Sequence, residues 1–319
     1  MRFVFILDPL DKLKVYKDTS IAIMREGAKR GHELFISMQA DVFLRHDKVR
    51  LITRSFNFSE GRNWYQLGES VECNPNEFNA VLMRKDPPFD NEYLYSTYLL
   101  ELAVKQGANV LNNPESVRSW NEKLSIARFP QFAPEFLVTS NNQLIRDFLV
   151  EHGDIILKPL DGMGGSSIYR LTKADPNISV ILETITNFGR STVMAQCYLP
   201  EIVNGDKRII VINGEPLPYA LARIPKAGET RGNLAAGGTG VARPLSERDL
   251  EIASTIGMTL TEKGLFLVGL DVIGDYLTEI NVTSPTGIVE IATQSICNPA
   301  HIIINQLENL SKEANPFNA

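Results

Sequence analysis

The stretch GLDVIGDYLTEINVTSP, residues 269–285, combines a strand–turn–strand pattern with side chains that bind metals. Two apolar runs flank a Gly-Asp pair, which predicts a β-hairpin. Glu279 and Asn281 are two residues apart, so they share one face of a strand. A two-residue loop would pair Asp271 with Thr278, whereas a three-residue loop pairs it with Glu279 and keeps the apolar residues together. The hydrophobic pattern favours the three-residue loop.

This register gathers Asp271, Glu279 and Asn281 at one spot. Three hard oxygen ligands suit Mg²⁺, which shares its coordination shell with water and phosphate oxygens, and Mn²⁺ is the second candidate ion. A solvated acidic hairpin face is the alternative interpretation. The next residues, Ser284 to Thr286, have Ser-Pro at the positions of a helix start. Such a helix start could bind a substrate carboxylate beside the metal. The alternative is an ordinary helix cap without a ligand.

The loop LKPLDGMGGSS, residues 157–167, predicts a phosphate site. Lys158 ends an apolar strand, and Gly162, Gly164 and Gly165 then permit turns that expose backbone N–H groups. The spacing matches neither a Walker A motif nor a G-x-G-x-x-G fingerprint, so a plain turn between two strands remains the alternative.

A second hairpin is predicted at residues 208–224, around an Asn-Gly turn. Its simplest register places Arg208 opposite Tyr219 and Arg223 further along, so the two arginines are not direct partners, although both are able to reach one pocket. The alternative interpretation is that both are surface residues, as arginines on strands commonly are. The glycine-rich segment 226–240 follows, and Arg231 and Asn233 are its polar side chains that could contact a ligand. It is interpreted as a functional lid or as a plain mobile loop.

Composition narrows the class of protein. The chain has 319 residues and a net charge of −6, which suggests two or three domains and argues against nucleic-acid binding. Its apolar runs are far shorter than the ~20 residues of a membrane-spanning helix. The cysteines Cys73, Cys197 and Cys297 are few and widely spaced, as in a cytoplasmic protein with free thiols.

The order of elements predicts an α/β fold whose C-terminal part is α+β. Strands are predicted at 2–7, 33–38, 80–83 and 109–111, with helices at 19–30 and 90–106 between them, so the first third should form a mostly parallel sheet. A helical pattern at 122–128 and strands at 136–138, 154–157 and 192–198 begin a second unit. From about residue 206 the pattern becomes antiparallel hairpins.

These motifs, taken in order, resemble the ATP-grasp superfamily of carboxylate–amine ligases, and most closely the bacterial-type glutathione synthetases. The resemblance is carried by FILDPL, VLMRKDPPFD, NEKL, DIILKPLDGMGGSSIYR, MAQCYLP, GDKR, LARIPKAGETRGNLAAGGTG and GLDVIGDYLTEINVTSPTGI. It implies an ATP-grasp fold preceded by a parallel-sheet domain. The units would be an N-terminal substrate domain at 1–120, a small lid subdomain at 121–200, and a C-terminal subdomain at 201–319.

The resemblance also implies an activity: ATP-dependent joining of γ-glutamylcysteine and glycine to glutathione through an acyl phosphate. It assigns roles by position. Nucleotide binding falls to Lys123, Lys158, Gly162, Gly164, Gly165, Ser166, Gln196, Cys197, Tyr198, Leu199 and Asp206. Catalysis falls to Arg208, Arg223, Arg231 and Asn233, metal binding to Asp271, Glu279 and Asn281, and substrate binding to Ser284, Thr286, Arg84 and Asp86.

Three positions depart from the family pattern: Cys197 replaces a familiar Asn, Val289 an Arg, and Thr239 a basic residue. The last two put in doubt any carboxylate or phosphate contact from those positions. Family resemblance further implies a cytoplasmic homo-oligomer, a tetramer, without nucleic-acid or membrane partners. Two other functions stay open: a peptide or D-alanine ligase of the same superfamily, and a non-catalytic ATP-binding regulator.

Overall fold

Three β-sheets organise the chain in this computed structural model, which describes residues 1–60, 63–162, 164–229, 231–232, 234 and 237–314. The N-terminal sheet contains β1 Arg2–Leu7, β2 Glu33–Met38, β3 Val42–Arg45, β4 Lys48–Phe58, β5 Tyr65–Cys73, β6 Ala80–Met83 and β7 Val110–Leu111. The central sheet contains β8 Phe136–Thr139, β9 Asp154–Pro159, β10 Tyr169–Thr172 and β11 Val193–Cys197. The C-terminal sheet contains β12 Asp206–Ile212, β13 Glu215–Pro216, β14 Tyr219–Ile224, β15 Thr239–Pro244, β16 Leu267–Ile273 and β17 Tyr276–Asn281.

Eight α-helices surround these sheets in the described part of the chain. They are α1 Thr19–Lys29, α2 Asn91–Lys105, α3 Pro114–Ser119, α4 Asn142–His152, α5 Ile178–Ile185, α6 Glu247–Glu262, α7 Ile288–Gln294 and α8 Pro299–Ala314. Asp18 and Asp90 accept backbone N–H bonds at the starts of α1 and α2, which confirms the predicted beginnings of both helices. None of the described helices is both long and apolar enough to cross a bilayer.

The N-terminal sheet is parallel only where β2, β1, β6 and β7 pair, because β3, β4 and β5 join it antiparallel. The prediction of a mostly parallel sheet is therefore correct for its core alone. Both faces of β1 are buried, since Phe3 and Phe5 enter one hydrophobic cluster and Val4 and Ile6 the other. Burial on both faces is typical of a central parallel strand.

Both clusters continue from the N-terminal sheet into the C-terminal sheet: Ile209 joins Val4 in one and Ile210 joins Phe3 in the other. Asn112 adds a polar link between the two sheets. Its side-chain amide donates to the carbonyls of Leu267 and Val282 and accepts from the N–H of Leu267, at 2.7–2.9 Å. The two sheets therefore share a continuous interior. The central sheet has its own small core with α4 and α5.

The hairpin of residues 269–285 pairs Asp271 with Glu279, as predicted, but by another route. Its loop has two residues, with Ile273 opposite Tyr276, and an irregularity next to Asp271 then shifts the register by one. Thr278 is the extra residue, and its hydroxyl donates to the carbonyl of Asp271 at 3.1 Å. A β-bulge thus produces the pairing of Asp271 with Glu279 that was predicted from a three-residue loop.

Three other sequence predictions need correction. Arg208 lies opposite Leu221, not Tyr219, because the register near the Asn-Gly turn changes by two residues after Pro216. The region 122–128 forms a 3₁₀ helix over Leu124–Arg128. The helix predicted to begin at Ser284 begins instead at Ile288, with Gly287 as its cap at a φ of 113°.

Candidate active site

One face of the C-terminal sheet carries the polar side chains of the site. Across neighbouring strands, Arg223 is paired with Asp206, Arg208 with Asp271, and Asp271 with Glu279. Alternate residues of a strand share a face, so these side chains project to the same side of the sheet. The charged and amide side chains that this pairing brings together are Asp206, Arg208, Arg223, Asp271, Glu279 and Asn281.

Two arginines and two aspartates form a buried network at the centre of this face. Arg208 donates to both oxygens of Asp271, at 2.5 and 3.0 Å, and Arg223 Nη2 lies 2.8 Å from Asp271 Oδ2. Arg223 also donates to Asp206 Oδ2. Gly269 leaves room for the Arg208 side chain, since a Cβ there would lie 2.8 Å from Arg208 Cδ. Arg208 and Arg223, two of the three predicted catalytic arginines, thus meet at Asp271.

The two aspartates of the network respond differently to burial. Burial by itself raises the pKa of Asp271, but Arg208 and Arg223 outweigh it and hold that pKa well below its usual range. Burial raises the pKa of Asp206 to about 6, and Arg223 only partly offsets this effect. The two arginines therefore favour the ionised form of Asp271, whereas burial favours the protonated form of Asp206.

Two lysines approach Glu279 from other parts of the chain. Lys158, at the end of β9, has its Nζ 3.6 Å from Glu279 Oε1 and donates to the carbonyl of Thr278 at 3.2 Å. Lys123 has its Nζ 3.8 Å from the same Glu279 oxygen. Burial lowers the pKa of Lys158, whereas the carboxylates of Glu279 and Glu122 outweigh burial and raise the pKa of Lys123.

These side chains line two neighbouring cavities. The larger cavity, of about 350 Å³, lies between the N-terminal unit and the C-terminal sheet, and Lys123, Arg208 and Asn281 line it. The smaller, of about 80 Å³, lies between the central and C-terminal sheets. Both are lined by Asp271 and Glu279, so the two cavities meet at the hairpin carboxylates.

The smaller cavity contains the residues predicted to bind the base and ribose of a nucleotide: Gln196, Cys197, Tyr198, Leu199 and Asp206. Gln196 Nε2 and Asp206 Oδ1 are buried there without a hydrogen-bond partner among the described residues. The backbone N–H groups of Cys197 and Tyr198 already donate to protein carbonyls. A donor and an acceptor that are buried and unpaired indicate a site for a polar ligand.

The glycine loop lines the larger cavity with Gly162, Gly164, Gly165 and Ser166. Gly164 and Gly165 have positive φ angles of 64° and 81°, as the predicted turn requires. Lys123 Nζ donates to the carbonyl of Gly162 at 2.7 Å, and Arg231 Nη1 donates to that of Gly165 at 3.2 Å. The segment 226–240 therefore contacts the loop. Asn233, its other predicted catalytic residue, lies outside the described residues.

The hairpin residues fit a divalent cation only in part. Within the described ranges, no group of three or more His, Cys, Asp or Glu side chains is placed to hold a metal by itself. Asp271, Glu279 and Asn281 nevertheless line the same cavity, and both carboxylates meet cationic side chains that a cation would have to displace or share. The donor set therefore suits an ion that takes further oxygens from a nucleotide and water.

The predicted substrate residues separate into two groups. Ser284, Thr286 and Asp86 line the larger cavity. Arg84 is buried and instead braces the structure, since it donates to the Ser20 hydroxyl at 3.1 Å and to the Pro285 carbonyl at 2.9 Å. It does not belong to the cavity lining described. A direct substrate contact of Arg84 stays a prediction.

Sequence reasoning did not single out several charged residues of the larger cavity: Lys12, Lys14, Lys17, Glu122 and Glu290. The three lysines follow β1, a buried parallel strand whose carboxyl end is the usual place for ligands, and that signal was available. Glu290 Oε2 is buried without a partner among the described residues.

Two antiparallel sheets that meet at charged cavities, beside a partly parallel N-terminal sheet, are the architecture of the ATP-grasp fold. The chain matches the model of the prokaryotic glutathione synthetase ATP-grasp domain over residues 122–295 and that of the N-terminal domain over residues 1–118. The chain belongs to the prokaryotic glutathione synthetase family.

Individual relatives agree with this assignment. The chain is 58% identical to a glutathione synthetase of Nitrosomonas europaea, covering 97% of this chain and 98% of the relative. It is 55% identical to that of Vibrio parahaemolyticus, covering 90% and 91%. The solved D-cycloserine synthetase DcsG (TM-score 0.67, 14% identity, 97% and 99% coverage) is similar in fold. So is the ATP-grasp ligase PsnB in complex with a precursor peptide and AMPPNP (TM-score 0.62, 17% identity, 97% and 98% coverage).

Proposed function

We propose that the protein joins the cysteine carboxylate of γ-L-glutamyl-L-cysteine to the amine of glycine, with ATP as the energy source and with glutathione, ADP and phosphate as products. The observation that carries this proposal is the placement of Arg208, Arg223 and the hairpin carboxylates on one sheet face, opposite Lys158. Membership of the glutathione synthetase family supports the choice of substrates.

The chemistry follows from the poor reactivity of a carboxylate. An oxygen of the donor carboxylate attacks the γ-phosphorus of ATP, the bond to ADP breaks, and an acyl phosphate results. The glycine nitrogen then attacks the acyl carbon and loses a proton to solvent, and the bond from the acyl carbon to the phosphate oxygen breaks, so that phosphate leaves with the electron pair. Arg208 and Arg223 lie where they would stabilise negative charge on the transferring phosphoryl group. The reaction needs no covalent enzyme nucleophile.

The nucleotide would extend across both cavities. Its base and ribose would occupy the smaller cavity, where Gln196 and Asp206 have unpaired polar atoms. Its phosphates would lie near the hairpin, in reach of Lys123 and Lys158 and of the glycine loop. In this arrangement the phosphates would take over from Glu279 as the anionic partner of the two lysines.

A divalent cation, Mg²⁺ with Mn²⁺ as the second candidate, would be held by Asp271, Glu279 and Asn281. When bound, it supplies Lewis-acid stabilisation of the phosphate oxygens. Arg208 and Arg223 keep Asp271 ionised, so that this ligand needs no deprotonation before it binds a cation.

We also propose that the three sheets correspond to three units: 1–120 for the donor substrate, 121–200 as the small half of the nucleotide clamp, and 201–319 as its large half. The family resemblance leads us to propose a cytoplasmic homo-oligomer, a tetramer, which light scattering of the purified protein would test by its mass.

The test of function measures ADP release with γ-glutamylcysteine plus glycine and, in parallel, with D-alanine alone. We expect ADP and glutathione in equal amounts from the first mixture and no ADP from the second. ADP release with D-alanine alone would favour a D-alanine ligase. ATP binding without turnover of either substrate set would instead indicate a non-catalytic regulator.

A further inference from the structure

One end of the larger cavity is built by the N-terminal unit and carries charges of both signs. The segment between β1 and α1 contributes Lys12, Lys14 and Lys17, and the segment after β6 contributes Asp86. These segments are far from the hairpin in the sequence, and each follows a strand of the N-terminal sheet. They form a wall that the phosphoryl chemistry described above does not use.

The cations around the hairpin are paired with protein carboxylates. Arg208 and Arg223 bind aspartates, and Lys123 and Lys158 lie near Glu279. In contrast, Lys12, Lys14 and Lys17 have no ion pair with any residue that the structure describes. The wall of the N-terminal unit therefore presents cations that remain available to an anionic ligand.

The Asp86 carboxylate also faces this wall, where the Ser284 hydroxyl and the Arg84 guanidinium interact with it. The neighbouring Lys85 is occupied, since its Nζ lies 3.0 Å from Asp8 Oδ1 and donates to the Asp86 carbonyl at 2.7 Å. The Asp86 N–H donates to Asp8 Oδ2 at 2.9 Å, which fixes the backbone and leaves the Asp86 carboxylate without an ion pair in the described chain. Asp18, the other acid of this wall, caps α1.

We propose that this wall binds the α-amino-acid head of the donor, with Lys14 and Lys17 on its α-carboxylate and Asp86 on its ammonium group. The inference rests on the proposed function, because γ-glutamylcysteine is the substrate that carries such a head. One carboxylate of this donor reacts at the hairpin. The other lies about 7–10 Å away, the span of two to three extended residues, and needs a second cationic site.

The proposal explains how the enzyme would select a γ-linked donor. In γ-glutamylcysteine the ammonium and carboxylate share one carbon at the far end of the molecule, so both meet the wall together. In an α-linked glutamylcysteine the far end is a carboxylate without an ammonium. Such a donor would leave Asp86 facing a second anion, which disfavours its binding.

The experiment combines variants with matched donors. Lys14→Gln, Lys17→Gln and the double variant are compared with Lys29→Gln, which removes an exposed lysine of α1 outside the cavity. Each enzyme is assayed with γ-glutamylcysteine, with 4-aminobutanoylcysteine, which lacks the α-carboxylate, and with glutarylcysteine, which lacks the ammonium. Circular dichroism and thermal unfolding check that all variants are folded.

We expect each single variant to raise the KM for γ-glutamylcysteine about tenfold, the usual effect of losing one charge-assisted hydrogen bond, with unchanged KM for ATP and glycine. The penalty should persist with glutarylcysteine and disappear with 4-aminobutanoylcysteine. Asp86→Asn should show the reverse pattern. Lys29→Gln should match the wild type.

An unchanged donor KM in the double variant, or an equal penalty with all three donors, would overturn the inference while the proposed function stands. Wild-type enzyme that forms no glutathione at all would instead refute the proposed function, and this assignment with it. The wild type alone gives a further readout, since it should already prefer γ-glutamylcysteine to both truncated donors.

Discussion

Asp206→Asn tests whether burial in the smaller cavity favours the protonated form of this carboxyl group. Asp206 is buried. Its Oδ2 accepts a hydrogen bond from Arg223, and its Oδ1 has no hydrogen-bond partner in the described chain. Burial raises its pKa from 3.8 to about 6. The asparagine variant keeps the shape of the side chain and removes the titration.

The sign of the effect follows from the raised pKa. The folded protein binds this proton more tightly than the unfolded chain, so the carboxyl contributes its full stability below pH 3.8 and loses it as the pH rises through about 6. Between pH 7.5 and pH 5.0 the wild type should therefore gain about 1.4 kcal/mol of unfolding free energy from this group. The variant has no such gain.

The assay is urea unfolding of nucleotide-free protein at both pH values, followed by tryptophan fluorescence. Subtracting the variant's free energy of unfolding from that of the wild type cancels the contributions of the other titrating groups. This difference should be about 1.4 kcal/mol more favourable to the wild type at pH 5.0 than at pH 7.5. Asp275→Asn, in the exposed turn after β16, serves as the control and should show no shift. A pH-independent difference for Asp206→Asn, or a shift in the other direction, would refute the reasoning.

Three further outcomes are expected. Glu279→Gln should raise the divalent-metal requirement of ADP release roughly 10- to 100-fold, because it removes one of the two carboxylates proposed to hold the cation, and an unchanged metal titration would contradict its role. Asn112→Ala should lower the free energy of unfolding by about 2–4 kcal/mol, because it leaves the N–H of Leu267 and two carbonyls unpaired, whereas a loss below about 0.5 kcal/mol in urea unfolding would contradict the link. Cys197 should be alkylated slowly, because burial raises the pKa of its thiol, and ATP should protect it further; mass spectrometry that finds equal labelling with and without ATP would contradict the proposal that the nucleotide occupies the smaller cavity.

Strands and turns were predictable because their signals are local. The apolar run at β1, the capping aspartates of α1 and α2, and the Asn-Gly turn between β12 and β13 each act within a few residues. The register of the longer hairpins was less predictable. Pairing near each turn follows the turn residues, but the change of register beyond Pro216 and the extra residue Thr278 depend on how the strands pack on their neighbours.

The sequence by itself determined the family, the positions of the lysine-bearing strand and glycine loop, and the side-by-side placement of Glu279 and Asn281, because strand alternation is a property of the backbone. Only the tertiary structure decided which charges meet. It pairs Asp271 with both Arg208 and Arg223, bonds Arg84 to the Pro285 carbonyl, and adds the lysines after β1 to the wall of the larger cavity. These contacts join residues tens to hundreds of positions apart, and no local pattern encodes such distances. Strand pairing within the C-terminal sheet sets the contacts of Asp271, and the packing of the N-terminal unit against that sheet sets the others.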